Sequence, residues 1–297
     1  MAKNLTTRYL YKLFAGISGT TQDASIDALI DPVSEAIAKF CKRTFELTTY
    51  KEWFDGTGTA YLLLPQYPIT ATYGVSLSRK CVGTLSFAGG SWASVTVLNG
   101  VLTLQSISTA GAETTTPLTL ATYPTIALLE AAVEAVSGWS FSTQSGESTS
   151  FSELIKPVFG EWALDPDDAD LEIPDESDRI RVEPESNQSL RVIGRHVFTL
   201  GSSNIFVWYK AGYTLPVDDS GHTGLDTDGN VPDDLTMACN QALKTVLDGV
   251  QVDSNMKSEK FTNYAYSLQD MKGTSAIDSA VMSQSSLLTK HQSMRLM

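Results

Sequence analysis

The feature that most constrains the fold is an aromatic strand that is broken by glycine and followed by a long helix. The stretch VWYKAGYTLP, Val207 to Pro216, has the apolar and aromatic content of a buried strand. Gly212 can adopt backbone angles that other residues avoid, so a sharp turn is predicted there. A helix is predicted to open at Pro232, where Asp233 and Asp234 would oppose the positive end of the helix dipole. This order predicts a sheet and a helix that pack together.

The N-terminal part of the chain predicts two helices followed by strands. A short amphipathic helix from Leu5 to Ala15 would stop at Gly16, and a second helix would begin near Asp23. Pro32 lies inside the second helical pattern and marks either a kink or a later start, with Asp31 as the cap. The sequence LTTYKEWFDGTGTAYLLLPQYPI then predicts two strands joined by the turn DGTG, and residues 73–87 add one or two more.

The middle of the chain, from Gly89 to about Asn187, is predicted to be an insertion. Asn99-Gly100 is a strong signal for a tight hairpin, because both turn residues must adopt positive φ. The stretch YPTIALLEAAVEAVSGW predicts a helix with Pro124 near its first turn and Gly138 at its end.

An acidic strip follows a polar connection in the same region. The sequence SFSTQSGESTSFS has the composition of a flexible linker. Residues 161–186 hold eleven acidic and two basic residues, a balance of −9 within a formal net charge of −13 for the 297-residue chain. An exposed, solvated and partly disordered strip is favoured over a weak cation-binding segment.

Regular structure is predicted to resume near residue 190. Two strands, 190–200 and 204–210, would flank the turn GSSN. The helix that opens at Pro232 would bury an apolar face formed by Leu235, Ala238, Ala242 and Val246. Residues 255–297 contain few large apolar side chains, with one weakly amphipathic segment near Ala276–Leu288, so this tail is expected either to fray or to dock on a partner.

These patterns predict an α+β chain in three parts. Residues 1–88 and 188–254 would form a small helical bundle packed on a small antiparallel sheet. Residues 89–187 would form a β-rich insertion domain with a hairpin, a helix and the acidic strip. Residues 255–297 would form an extended C-terminal arm that docks on a partner.

Composition narrows the class of protein. No apolar run approaches the roughly 18 residues of a membrane span, and the N-terminus lacks the apolar centre of a signal peptide, so synthesis in a cytoplasm is expected. Phosphate backbones are bound by clustered Lys and Arg, which this acidic chain lacks, so specific nucleic-acid recognition is not expected. The three cysteines do not have the spacing of a metal site, and their odd number argues against a disulfide framework. Cys41 and Cys239 are predicted to be buried thiols.

Signatures of catalysis and of metal binding are mostly missing. The three histidines lie far apart and have no carboxylate or cysteine at ligand spacing; they are His196, His222 and His291. The loop GLDTDGNVPDDL imitates part of an EF-hand, but Gly224 and Leu235 occupy the two end positions where ligands are required. Trp53, Trp139 and Trp208 are predicted to fill cores, with a sugar-binding platform as the alternative. No cofactor is predicted.

Several segments in order resemble a known family. They are IAKFCKRTFE, YKEWFDGTGTAYLLLPQYPI, IFVWYKAGYTLPV, VPDDLTMACNQALK and SEKFTNYAYSL, and together they resemble the head-tail connector, or head-completion adaptor, proteins of tailed bacteriophages. The resemblance covers roughly residues 5–85 and 190–270, and LATYPTIALLEAAVEAVSGW looks like an insertion seen in some members. The chain departs from the pattern in its long insertion and at Phe261-Thr262-Asn263, where a small residue is usual.

The resemblance implies a structural role in the neck of the virion. Such proteins form a ring, usually a dodecamer, beneath the portal protein, join the head to the tail or to a second neck protein, and continue the channel through which genomic DNA passes. The motif residues expected to be structural are Arg43, Asp55, Gly56, Pro68, Tyr209, Gly212, Tyr213 and Pro232. The residues expected to dock on the portal are Tyr264, Tyr266, Leu268, Ile277, Leu287 and Leu288.

Two other classes of function stay open on the sequence alone. The Thr- and Ser-rich middle and the scattered tryptophans suit a standalone β-rich binding module for carbohydrate or surface adhesion. A hydrolase ranks third, because it would need a clustered acid and base and the sequence offers none. An adaptor needs no catalytic residues, and a DNA channel without a basic groove would not hold phosphates tightly.

Overall fold

The computed structural model describes residues 4–175, 177, 179–193, 197–217, 229–251, 258–261, 264–267 and 276–292. The chain divides into two compact units. The first contains residues 1–48, 64–70 and 210–297, and the second contains residues 49–63 and 71–209. These boundaries differ from the predicted domains, because most of the early strands join the second unit and the C-terminal segment joins the first.

Six helices lie within the described residues. They are α1 (Arg8–Ala15), α2 (Asp23–Cys41), α3 (Ile126–Glu134), α4 (Asp233–Gln251), α5 (Ala276–Met282) and α6 (Ser285–Leu288).

Short strands make up most of the remaining regular structure. They are β1 (Thr48–Gly56), β2 (Tyr61–Leu63), β3 (Ile69–Ser76), β4 (Arg79–Phe87), β5 (Gly90–Leu98), β6 (Val101–Ser108), β7 (Glu113–Thr119), β8 (Trp139–Thr143), β9 (Val158–Trp162), β10 (Ala169–Pro174), β11 (Arg179–Ile180), β12 (Val182–Pro184), β13 (Ser189–Val192), β14 (Gly201–Ala211), β15 (Ser258–Phe261) and β16 (Tyr264–Ser267).

The strands form small sheets rather than one large one. Their orders are β1-β14-β3-β11, β10-β4-β8, β12-β13-β2, β7-β6-β5-β9 and β15-β16. The pairings β4–β8, β4–β10, β5–β6 and β6–β7 are all antiparallel. The chain is therefore a mixed α and β protein with small antiparallel sheets, which confirms the coarse class predicted from the sequence.

Helices supply the core of the first unit. α2 and α4 pack together and bury apolar side chains at helical spacing, including Ile26, Ile30 and Ile37 on α2. The N-terminal segment is tied to both helices, because the Leu5 amide donates to Ser34 Oγ at 3.1 Å and Thr6 Oγ1 donates to Asn240 Oδ1 at 2.7 Å.

The predicted helix boundaries in this unit were nearly correct. Gly16 ends α1 in the left-handed conformation at φ 67°, as its position suggested. Pro32 lies inside α2, which runs without a break through Asp31, so the alternative of a later start at Asp31 is wrong. The four predicted apolar positions of α4, which are Leu235, Ala238, Ala242 and Val246, are all buried.

Strands and α3 build the core of the second unit. β5 and β6 pair from Leu98 and Val101 across the two-residue turn, and Asn99 and Gly100 have φ of 52° and 74°. This confirms the predicted hairpin and its reason, since both residues must adopt positive φ. Val95, Leu104 and Leu129 are fully buried in the core that the hairpin shares with α3.

The described residues of the acidic strip include strands, which corrects the prediction of partial disorder, whereas most of their acidic side chains are exposed, as predicted. β9 pairs with β5, and β10 pairs with β4. Ala169, Leu171 and Ile173 alternate with polar residues and face the core with exposures of 4% or less. The acidic side chains mask this period of two when only composition is considered. The polar connection is likewise partly a strand, β8.

Two predicted turns have different outcomes. The segment DGTG connects β1 to β2, as predicted, but these strands do not pair with each other, because β2 pairs with β13 and β1 lies beside β14. The segment GSSN was expected to be a turn between strands, yet it forms the first residues of β14. Turn residues show where a chain can bend, but they do not specify which strands will pair.

Candidate functional site

An arginine at the end of α2 is the centre of the site that the motif residues form. Lys42 ends the helix in the left-handed conformation at φ 54°, which directs the chain and Arg43 away from the helix axis. Arg43 is 4% exposed. Its guanidinium carbon lies 3.4 Å from the ring centroid of Tyr67, 4.8 Å from that of Phe45 and 5.9 Å from that of Tyr213. We call these four residues the Arg43 cluster.

The aromatic rings compensate much of the free-energy cost of burying the positive charge of Arg43. Arg43 Nη2 donates to the carbonyl oxygen of Tyr67, whereas Nε and Nη1 are buried and have no hydrogen-bond partner within the part of the chain that the structure describes. A cation above an aromatic ring gains about 0.5–2 kcal/mol, depending on how far it is desolvated. Burial raises the pKa of the Tyr213 hydroxyl, and the positive charge of Arg43 opposes that rise.

Gly212 fixes the backbone next to the Arg43 cluster. Its amide donates to the carbonyl oxygen of Pro68 at 3.0 Å, and its φ is +113°. A Cβ at this position would lie 2.4 Å from the carbonyl oxygen of Glu46, which is closer than real Cβ atoms approach. The next residue continues the contact, because the Tyr213 amide donates to Phe45 and the Tyr213 carbonyl accepts from Leu47, at 2.7 and 2.8 Å.

The C-terminal segment reaches the same place. The Tyr67 hydroxyl lies 3.4 Å from the carbonyl oxygen of Lys290 and 3.3 Å from that of Gln292, and can donate to either. Beside it, Asp234 Oδ2 on the first turn of α4 contacts His291 Nε2 at 2.8 Å and Lys290 Nζ. We call the contacts of Asp234 with Lys290 and His291 the C-terminal clasp.

The electrostatics of the C-terminal clasp favour an ionised Asp234. Burial of the carboxylate favours its protonation, but hydrogen bonds from Lys290 and His291 outweigh burial and hold the pKa of Asp234 below its ordinary value of 3.8. The helix N-terminus that Pro232 opens adds to this preference for a negative charge. Sequence reasoning missed this pair, and treated His291 as an isolated residue.

The C-terminal segment packs against its own chain, which corrects the expectation for residues 276–292. Leu288 is fully buried, and Ile277 and Leu287 pack partly buried against the helical core of the first unit. The Cys41 thiol donates to the carbonyl oxygen of Leu288 at 3.8 Å. In this structure Leu288 is therefore a core residue and is not accessible to a partner. The tail was not expected to pack against its own chain because it has few apolar residues. Three or four apolar side chains are enough, however, when the helical core accommodates them.

Three residues of the predicted docking arm remain. Tyr264 and Tyr266 lie on β16, which pairs with β15 from Ser258↔Ser267 to Phe261↔Tyr264. Leu268 lies outside the described residues.

Three of the predicted structural residues belong to the second unit. Asp55 Oδ1 accepts from the Ser203 amide at 2.6 Å, and the Gly56 amide donates to Asn204 Oδ1 at 2.8 Å. Tyr209 is fully buried and donates its hydroxyl to Glu52 Oε2 at 2.7 Å. These contacts fix the end of β1 and the middle of β14, so they hold the sheet and do not form a reactive site.

Other candidate chemistry finds no support in the described residues. Over those ranges the structure brings together no group of three His, Cys, Asp or Glu side chains that could hold a metal ion. His196, His222 and residues 224–228 of the loop that imitates an EF-hand lie outside them. Burial raises the pKa of Cys41 to about 11 and that of Cys239 to about 12, so both thiols are protonated, as expected for buried structural cysteines.

Comparison with known proteins adds no relative. No protein-family model matches the sequence, and no curated protein shows significant similarity to it. Within the described part of the chain, no helix is both long enough and apolar enough to span a membrane.

Proposed function

We propose that this protein is a structural adaptor of a tailed-phage virion that forms a ring beneath the portal and joins the head to the tail. In this proposal the first unit, whose core is built by helices, is the connector core, and the second unit is the elaborated insertion. Genomic DNA would pass through the ring without sequence-specific contacts.

The observation that carries the proposal is the meeting of four motif residues in the first unit. Arg43, Pro68, Gly212 and Tyr213 were selected from segments far apart in the sequence because those segments resemble the connector family. They lie together at the end of α2, through the Arg43–Tyr213 contact and the hydrogen bond from Gly212 to Pro68. A chance selection of residues from three segments would not be expected to converge on one cluster.

The Arg43 cluster suits an architectural function better than a chemical one. Arg43 is enclosed by aromatic rings and the backbone around Gly212 is tightly packed, so a substrate has no route to the guanidinium. Such a cluster fixes the direction in which the chain leaves α2 and the direction in which it starts toward α4. A ring needs this property, because the angle between neighbouring subunits repeats at every contact.

An exposed apolar face on α1 offers a surface for contacts between subunits. Tyr9, Leu13 and Phe14 are 38%, 69% and 41% exposed, although α1 is only eight residues long. Burial of a leucine side chain contributes about 1.5–3 kcal/mol. In the proposed ring this face would pack against a neighbouring subunit or the portal.

The test is assembly with the portal protein encoded in the same genome. We expect electron microscopy and analytical ultracentrifugation to show rings of this protein on the portal, and Leu13→Glu to abolish them. Leu128→Glu, at a position 51% exposed on α3, is the matched control and should still assemble. Folded protein that neither forms rings nor binds the portal would contradict the proposal.

A second candidate, a carbohydrate-binding module, is favoured by one surface feature. Phe159 and Trp162 on the edge strand β9 are 86% and 43% exposed, and exposed rings of this kind can stack on sugars. Saturable binding to a glycan panel that Trp162→Ala abolishes would favour the module over the adaptor.

A further inference from the structure

The second unit contains an apolar pocket that the adaptor function does not explain. Its lining includes Lys51, Ser76, Phe151, Leu154, Phe206 and Trp208, and it encloses about 90 Å³. Its floor is formed by β1, β3 and β14, and the turn at residues 151–154 supplies one wall.

The walls of this pocket are held firmly in place. Trp53 and Phe206 meet edge to face with ring centroids 5.4 Å apart, and Tyr73 packs against Trp208 at 5.4 Å. The wall at residues 151–154 is anchored because the Ser152 hydroxyl donates to the carbonyl oxygen of Leu120 at 3.2 Å. A pocket with fixed aromatic walls can bind a ligand without first paying to order its own side chains.

One polar group of a residue that lines this pocket lacks a partner among the described residues. The indole nitrogen of Trp208 is inaccessible to solvent and has no hydrogen-bond acceptor among the residues that the structure describes. The neighbouring Trp53 shows the usual arrangement, since its indole N–H donates to the carbonyl oxygen of Leu154 at 3.1 Å. An unsatisfied buried donor costs about 1–3 kcal/mol, and a bound acceptor would remove that cost.

A cation lies at the same place. Lys51 Nζ is 5.2 Å from the ring centroid of Trp208 and 5.9 Å from that of Phe151. No carboxylate of the described residues lies within 4.0 Å of this ammonium group, although the chain carries a net charge of −13. The Ser76 hydroxyl is already engaged, because it lies 2.9 Å from the carbonyl oxygen of Ser78 and 2.8 Å from that of Asp175 and can donate to either.

The combination of these features defines the chemical class of a ligand. Two donors, one of them charged, favour an anionic acceptor, while most of the remaining lining is apolar or aromatic. The cavity has the volume of about three water molecules, which suits a short branched hydrocarbon chain rather than a fused ring system. We propose that the pocket bounded by Lys51, Phe151 and Trp208 binds a small apolar monocarboxylate, whose carboxylate pairs with Lys51 and accepts from the Trp208 indole.

The pocket is tested on the full-length protein with 3-methylbutanoate as the probe. The indole N–H signals of the five tryptophans are followed by NMR, and Trp208→Phe identifies the signal of Trp208. We expect the Trp208 signal to move downfield and saturate at about millimolar ligand, while the signal of Trp53, which is already hydrogen-bonded, stays in place.

Charge recognition is tested with a neutral ligand and a matched variant. The isosteric amide 3-methylbutanamide should bind about tenfold more weakly than the carboxylate, and Lys51→Gln should weaken carboxylate binding about tenfold without changing amide binding. Lys39→Gln makes the same change of charge on an exposed part of α2 and should leave both affinities unchanged.

Two outcomes would overturn the proposal. One is the lack of a saturable shift of the Trp208 signal with the carboxylate. The other is equal binding of acid and amide, which would define the pocket as apolar only. The proposal does not depend on the adaptor function, since ligand binding is measured on the protein alone and ring assembly on its complex with the portal.

Discussion

Single residues in this protein are constrained most strongly where the backbone has no freedom. Gly212 combines a φ of +113° with a carbonyl oxygen 2.4 Å from the position of a Cβ. We expect Gly212→Ala to lower the free energy of unfolding by about 3 kcal/mol or more, because a methyl group adds backbone strain and a collision with the Glu46 carbonyl. Chemical denaturation measures the change.

A substitution at a second glycine distinguishes the effect of backbone strain from that of a steric clash. Gly19 has a similar φ of +95°, but a Cβ there would meet nothing within 4 Å. Gly19→Ala should therefore cost only about 1–2 kcal/mol. If both variants lost the same stability, the close approach at Gly212 would not be what makes glycine necessary there.

The three cysteines should differ in their reactivity toward thiol reagents. Cys41 and Cys239 are buried, with pKa values raised to about 11 and about 12, whereas Cys81 is partly exposed on β4 and has a pKa that burial raises. Since the thiolate is the reactive form, we expect a maleimide to modify Cys81 first and slowly at neutral pH. Mass spectrometry of the folded protein should show a single adduct, and Cys81→Ser should remove it. Rapid labelling at Cys239 without denaturant would contradict the burial of that thiol.

At the scale of elements, the C-terminal clasp makes the attachment of the last turn dependent on pH. The folded-state pKa of Asp234 is lowered, so its contribution to stability is fully present above the ordinary carboxyl value of 3.8 and is lost as the pH falls through the lower folded-state value. We expect Asp234→Asn to destabilise the protein by about 1–2 kcal/mol at neutral pH, and by less under acid conditions.

The adjacent acid provides the control for the C-terminal clasp. Asp233 is exposed and lies on the same helical turn, so Asp233→Asn makes the same change of charge near the same helix dipole. It should cost only a few tenths of a kcal/mol at any pH. Urea midpoints of the three proteins at several pH values distinguish the clasp from a general effect of charge.

Elements with a strong local signal were predicted well from the sequence, and their partners were not. The period of α2 and the Asn99-Gly100 turn are each encoded within a few residues, so both were found. The pairing of β2 with β13 joins residues about 130 positions apart, and no turn signal contains that information. The segment ADLEIP alternates apolar and polar residues, but the many acidic residues around it made it resemble an exposed loop.

The candidate site shows the same limit. Arg43, Pro68, Gly212 and Tyr213 were selected because their segments resemble a family, and their meeting could not be derived from spacing. The contact between Asp234 and His291 joins residues 57 positions apart, with no local pattern to mark it. The Trp208 pocket depends on which side chains point to one face of a sheet, so it could be found only after the strand order was known.

For the whole molecule, the main property is the separation of two cores. Most of the buried apolar residues belong to one of two clusters, the first around α2, α4 and α5 and the second around α3 and the strands from β4 to β10, and no residue belongs to both. We expect Leu288→Ala to lower the stability of the first cluster by about 2–5 kcal/mol and to accelerate amide exchange in α2 and α4 more than in β5 and β6. Leu129→Ala, in the second cluster, should show the reverse pattern.

Hydrogen exchange followed by mass spectrometry measures both patterns in one experiment. Equal acceleration across the chain in either variant would show that the two cores open together as one cooperative unit.

The route of the chain between the units determines how the gene can be shortened. Residues 49–63 and 71–209 interrupt the first unit twice, so no single truncation removes the second unit. Hydrogen bonds join residues near each pair of cut ends: the Thr44 amide donates to Gln66 Oε1 at 3.0 Å, and the Thr70 hydroxyl donates to the carbonyl oxygen of Lys210 at 3.1 Å. A synthetic gene with one short linker from residue 48 to 64 and another from 70 to 210 would therefore encode the first unit with its native connections nearly preserved.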